Sequence, residues 1–151
     1  MTGPDKAASQ LYKQGLSLAK KGLWSEAEAS FRQAARLAPK SSLTWLSMAI
    51  ACCNQGRYEQ AAVAIHWALQ VAVPIRATPQ SEIGVERFAA EDWRGVEEAF
   101  SQLLGNEPID PPTHLFLAIA LIRQNRLQEG FDHLMDGYRL EVARAESGPF
   151  Q

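Results

Sequence analysis

The residues able to do chemistry in this chain are few. They are three histidines (His66, His114 and His133), the adjacent thiols Cys52 and Cys53, and two carboxylate pairs, Glu26 with Glu28 and Glu97 with Glu98. A helix offers a metal two ligands only when donors stand three or four residues apart on one face. Among the histidines only His133 has such neighbours, Asp132 beside it and Asp136 three residues on, and that spacing reads as a surface salt link. Cys52 and Cys53 lack the C-x-x-C spacing of zinc and redox sites. No cation flanks Cys53 to lower its pKa. The pair reads as small core hydrophobes, Cys52 toward the core and Cys53 toward a candidate binding face. The carboxylate pairs fall where helices begin and complement the positive end of the helix dipole. No glycine-rich nucleotide loop occurs. The sequence therefore points to no catalytic residue, no cofactor and no metal, and so to a protein that is not an enzyme.

The elements that position these residues come from composition and repetition. The chain has 151 residues, a net charge of −2, 46% hydrophobic residues and two cysteines. The apolar fraction is too high for a disordered chain, and the charge excludes the basic field that nucleic acid requires. The longest apolar run, Leu115 to Ile122, is far below the roughly 20 residues that span a bilayer, so no membrane insertion is expected. With a polar start and no disulfide framework, the expected compartment is the cytoplasm.

The chain also repeats itself. Gly22, Trp24, Ala27, Phe31, Ala34 and Leu37 fall, 34 residues later, on Gly56, Tyr58, Ala61, Ile65, Ala68 and Val71. A further step of 35 gives Trp93, Val96, Phe100 and Leu103, and another of 34 gives Leu127, Gly130, Leu134 and Gly137. Small residues at fixed offsets with this period mean stacked helical hairpins. The punctuation predicts eight helices: over 5–21, 25–38, 42–55 and 59–73, one opening at Thr78-Pro79, one from near Asp92 to near Gly105, one opening at the cap-then-proline signal Asp110-Pro111, and one over 127–146. Ser25 with Glu28 reads as a capping box, Gly22 as a left-handed cap, and Ser147-Gly148-Pro149 as the final stop. Gly15, Ala49, Gly84 and Ala118 sit at close-approach sites.

These positions resemble the tetratricopeptide repeat. Its signature reads Leu11, Gly15, Ala27, Phe31, Ala34 and Pro39 in the first unit. In the second it reads Trp45, Ala49, Ala61, Ile65 and Ala68, with Pro74 one place late. The third unit keeps Gly84, Phe100 and Pro108, and the fourth keeps Ala118 with Gly130, Leu134 and Gly137. The resemblance implies an all-α fold, a right-handed superhelix of antiparallel helix pairs. One domain over 1–151 is expected, with repeats at 8–41, 42–75, 77–110 and 111–146 and a tail at 147–151. It also implies a protein-binding role, since the family consists of interaction modules.

In this family the first helix of each pair lines a concave groove. The resemblance assigns to that groove Tyr12, Lys13, Leu16 and Lys20 from the first pair. The second pair gives Leu43, Leu46, Ser47, Ile50, Cys53 and Asn54, and the third Glu82, Val85 and Phe88. The fourth gives Leu115, Phe116, Ile119, Ile122 and Arg123. This face is mostly apolar, and a helix apolar on every side must be surrounded. The occupant expected is an apolar segment of another protein, extended or helical. The alternatives are the chain's own final helix or tail, or a second copy forming a homodimer or scaffold. Tyr12, Leu16, Ser47, Thr78 and Glu82 stand where a chaperone-tail carboxylate clamp would need cations, which excludes that ligand. The length and apolar groove are also similar to class II chaperones of type III secretion, and an assembly factor for a membrane complex is a related reading. Of the four tryptophans, Trp24, Trp45 and Trp93 fall on framework sites. Trp67 does not, and reads as an exposed aromatic and a second contact site.

Overall fold

The computed structural model describes residues 2–105 and 110–147. Pro108 and the tail beyond Ser147 lie outside the described residues. The described chain is helical and contains eight helices: α1 (Gly3–Lys20), α2 (Trp24–Leu37), α3 (Ser42–Asn54), α4 (Tyr58–Val71), α5 (Pro79–Ala89), α6 (Trp93–Leu103), α7 (Pro111–Arg123) and α8 (Leu127–Ser147). No described helix is long and apolar enough to cross a membrane. The helices pack as consecutive neighbours within two compact units, Met1–Ala72 with α1 to α4 and Val73–Gln151 with α5 to α8. Each unit is two helix pairs.

One turn closes all four pairs. In the first, the Leu23 N–H donates to the Leu18 carbonyl at 3.0 Å and the Gly22 N–H to that of Ala19 at 2.9 Å. This doubly bonded reversal places its central residue in the left-handed region. The same two bonds recur around Gly56, Glu91 and Asn125. The four central residues have φ of 75°, 73°, 56° and 62° in chain order. Two of the four are glycine, which adopts that conformation without steric cost; Glu91 and Asn125 adopt it under strain.

This turn corrects one expectation. The second helix of each pair begins almost at once, so α2 starts at Trp24 with Leu23 as its cap and no side-chain cap bond. Ser25 is already inside the helix, and Glu28 turns sideways to other partners. Elsewhere the caps are mixed: Asp110, before the prolines of α7, makes no side-chain cap bond. Thr78 accepts from the Ser81 N–H in a reciprocal capping box, with Pro79 in the first turn of α5. Asp92 accepts from the Gly95 N–H at 3.0 Å.

Within the first pair of each unit, a glycine lies flat against a phenylalanine ring. A Cβ built on Gly15 would stand 2.5 Å from Cε1 of Phe31, and one on Gly84 2.5 Å from Cε2 of Phe100. Both rings are fully buried. Phe100 stacks on Phe116 of α7 at 4.6 Å between centroids and 3° between planes. It thereby carries the core of the second unit, with Val96, Leu117 and Ala120, from one pair to the next.

Gly15→Ala and Gly84→Ala should each lower unfolding stability by about 1–3 kcal/mol, because a buried ring must shift to admit the methyl. Trimming the ring as well, in Gly15→Ala with Phe31→Leu, should recover part of that loss in urea titrations followed by circular dichroism. Glu91→Gly should raise stability by about 1 kcal/mol by relieving the left-handed strain. The same titrations read this out, and a loss of stability would contradict the turn geometry.

Candidate functional site

Part of the joint between pairs is electrostatic. Glu28 of α2 is 4% exposed, and its carboxylate Oε1 accepts from Gln55 Nε2 at 2.8 Å and from Arg57 Nη1 at 2.5 Å. Gln55 and Arg57 flank the left-handed turn between α3 and α4. Arg32, one turn along α2, pairs with the other oxygen. The second unit repeats the carboxylate, the glutamine and the turn arginine 69 positions later, with Ser101 in the place of Arg32. There Glu97 accepts from Gln124 Nε2 at 3.1 Å and from Arg126 Nη1 at 2.8 Å.

This joint holds α2, α3 and α4 so that an open pocket of about 590 Å³ lies among them. Its floor is Ala35, Met48, Cys52 and Ala64, with Trp45 at one end. One wall is a row on α4 (Val63, Trp67 and Val71), each one turn from the next. Val63 is 49% and Trp67 51% exposed. The Trp67 ring stacks on Trp45 at 5.7 Å and 21°, and the Trp45 indole N–H donates to the Pro39 carbonyl at 2.8 Å. The opposite wall is cationic, with Arg32 and Arg36 on α2 and Lys40 just beyond it. No carboxylate lines the pocket. Among the described residues, Arg36 and Lys40 make no ion pair. The volume suits side chains of a docked segment or a small ligand.

The residues assigned to a groove divide by burial. In the first unit Tyr12 and Ser47 meet, hydroxyl to hydroxyl at 3.4 Å. Leu46 and Cys53 are buried along with Ser47. Leu16, Leu43 and Ile50 are half-buried, and Lys13, Lys20 and Asn54 are exposed. Asn54 donates to the Ile50 carbonyl at 2.9 Å. In the second unit Leu115, Ile119 and Ile122 are buried. Phe88 and Phe116 meet edge to face at 5.0 Å, and the Arg123 guanidinium lies over the Trp93 ring at 5.9 Å. Glu82 and Val85 are exposed and border a cleft of about 330 Å³ with Ile75 and Ala77. Six of the eighteen assigned residues are thus interior. The reason is physical: α3 and α7 each have neighbours on both sides, and an all-apolar helix gives them side chains to bury on every face.

Two further expectations change. Trp45 is not a core residue but half-buried in the pocket wall, whereas Trp67 is exposed as its position off the framework implies. The Asp136 carboxylate meets Arg139 at 3.2 Å, and the hydrogen-bond contact of His133 is with His114 of α7. Both thiols are buried. Burial, reinforced by the charge of Glu28, pushes Cys52 up to about 11, and burial pushes Cys53 up to about 12. At neutral pH both are protonated and poor nucleophiles.

Residues 12–82 match the tetratricopeptide repeat family. That stretch carries tetratricopeptide repeats. The match covers α1 from Tyr12, α2 to α4 and the first turn of α5. Beyond it, the turns at Glu91 and Asn125, the Gly84–Phe100 contact and the Glu97 joint continue the same pattern. No curated protein matches the chain in sequence. Tetratricopeptide repeats are protein–protein interaction modules and typically non-catalytic.

Because Glu28 is nearly buried and Glu97 more exposed, Glu28→Ala should cost about 2 kcal/mol, the value of charge-assisted hydrogen bonds lost from an interior. Glu97→Ala should cost less than half of that. Urea denaturation of the two variants checks the ranking, and a larger loss for Glu97→Ala would contradict it.

Proposed function

We propose that this protein binds an apolar segment of a partner protein, flanked by carboxylates, in the pocket between α2, α3 and α4. The observation that carries the reading is the presence of two rows of opposite character in one pocket. Val63, Trp67 and Val71 form an apolar row along α4, and Arg32, Arg36 and Lys40 line the same pocket as cations. The apolar row runs eight steps along α4, about 12 Å of helix rise or about two turns. An amphipathic segment with an apolar stripe and acidic residues along one edge complements both rows. Exposed tryptophan beside arginine is the composition of interface hot spots. The cations steer an acidic partner and fix its register, while the indole stack supplies buried area.

Holding such a segment is the work of an adaptor or of a chaperone, including a secretion-type chaperone of a translocator or an assembly factor for a membrane complex. A scaffold would offer the same face to a second copy. The face of α1 and α3 that retains half-buried Tyr12, Leu16, Leu43 and Ile50 is the competing surface, and the test separates the two.

Affinity capture from native lysate, with wild type and variants compared by quantitative mass spectrometry, supplies the partner. Titration with a peptide from that partner then measures affinity. Trp67→Ala should weaken the peptide by about 2 kcal/mol, roughly thirtyfold. Arg36→Glu should weaken it most at low salt, since the loss of steering is screened by ions. Ile50→Glu should leave affinity unchanged. Binding that survives Trp67→Ala and Arg36→Glu but fails with Ile50→Glu would move the site to the α1–α3 face. A concentration-dependent dimer that disappears in Trp67→Ala would make the occupant a second copy.

A further inference from the structure

The second unit carries a cluster of donor atoms that its repeat role does not require. His114 on α7 and His133 on α8 face each other across the last helix pair, Nδ1 to Nδ1 at 3.0 Å. Asp136 stands one turn from His133 on the same helix. A ligand atom from each of the three lies within 4.8 Å of the others. The corresponding positions of the first unit, 69 residues earlier, hold Trp45, Ala64 and Trp67. An aromatic stack in one unit is thus replaced, at all three positions together, by two imidazoles and a carboxylate.

We propose that His114, His133 and Asp136 form a binding site for a divalent transition-metal ion of the zinc class, linking α7 to α8. Two nitrogens and one oxygen are a donor set that suits zinc, nickel or copper over magnesium or calcium. Ligands at about 2.0–2.1 Å from a tetrahedral ion stand about 3.3 Å apart, so the imidazole nitrogens need to part by only a few tenths of an ångström. Their contact at 3.0 Å has one ring donating and the other accepting. On metal binding the donor ring shifts its proton to Nε2, and both Nδ1 lone pairs face the ion. Burial lowers the pKa of both histidines, which favours the neutral, ligating ring.

The backbone holds the site close. Gly130 and Gly137 lie about one turn either side of His133. A Cβ on Gly137 would be 2.7 Å from Leu115, and one on Gly130 2.8 Å from Ile122. These contacts seat α8 close against α7. An opening of about 160 Å³, bordered by Glu97, Glu129, Asp132 and His133, lies beside the cluster. Arg126, also at that opening, is engaged by Glu97 and Glu129. Arg139 orients the Asp136 carboxylate from outside. The fourth position is left for water or a partner's side chain.

Isothermal titration of the untagged full chain with zinc, paired with the absorption spectrum of cobalt, tests the site. One ion per chain is expected, with a cobalt spectrum of tetrahedral type. His133→Ala and Asp136→Asn should each weaken zinc by at least about 100-fold, more than loss of an outer partner would. His66→Ala, on α4, should bind as wild type does. Zinc should raise the thermal midpoint of wild type and His66→Ala but not of His133→Ala, whose fold circular dichroism checks independently. Absence of saturable one-to-one binding, or binding that persists in His133→Ala and follows His66, would overturn the proposal.

Discussion

Everything in this fold depends on a turn of three residues whose middle member is left-handed. It recurs around Gly22, Gly56, Glu91 and Asn125. Two backbone bonds close it, so the exit of one helix and the entry of the next are fixed together. A given register position therefore plays the same packing role in each pair. That is why Gly15 meets Phe31 as Gly84 meets Phe100, and why Glu28 and Glu97 find a glutamine and an arginine beside the next turn. The constraint is on backbone geometry and is indifferent to most side chains, which leaves the surface positions free to diverge.

The divergence is where function enters. The same register gives the first unit a stacked pair of indoles beside a cationic row, and the second unit two imidazoles and a carboxylate. Glu28 links the frame to the site in the first unit. It takes Arg57 from the next pair and Arg32 from its own helix, which orders one end of the cationic row and leaves Arg36 and Lys40 facing solvent. A buried carboxylate with several charge-assisted bonds costs desolvation, and its return is a fixed spacing between pairs more than net stability. That spacing is what keeps the pocket open.

Much of the fold is legible in the sequence because the frame is periodic. Glycines and aromatics at steps of 34 and 35 locate all four turns, and Thr78-Pro79 locates the start of α5 despite its short apolar face. The Ser25–Glu28 pattern misleads because the left-handed turn starts α2 at Trp24, before a serine cap could act. Groove assignment from register alone fails at Leu46, Leu115 and Ile119 because α3 and α7 are enclosed on more sides than an amphipathic pattern can express. The imidazole pair is invisible to a search along one helix, since its members come from two. Comparing His114, His133 and Asp136 with the residues 69 positions earlier is the signal that would have found it. Trp67 is the reverse case, exposed because the frame has no place for it.

The most direct measurement is the nuclear magnetic resonance spectrum of the tryptophan indole N–H groups while a captured partner segment is added. Trp45 and Trp67 report on the pocket, and Trp24 and Trp93 on other parts of the chain. The account predicts that the Trp45 and Trp67 signals move together with the Val63 methyls, while Trp24 and Trp93 stay in place. Saturation of the protein with no change at Trp45 and Trp67, and with shifts at Ile50 and Tyr12 instead, would contradict it.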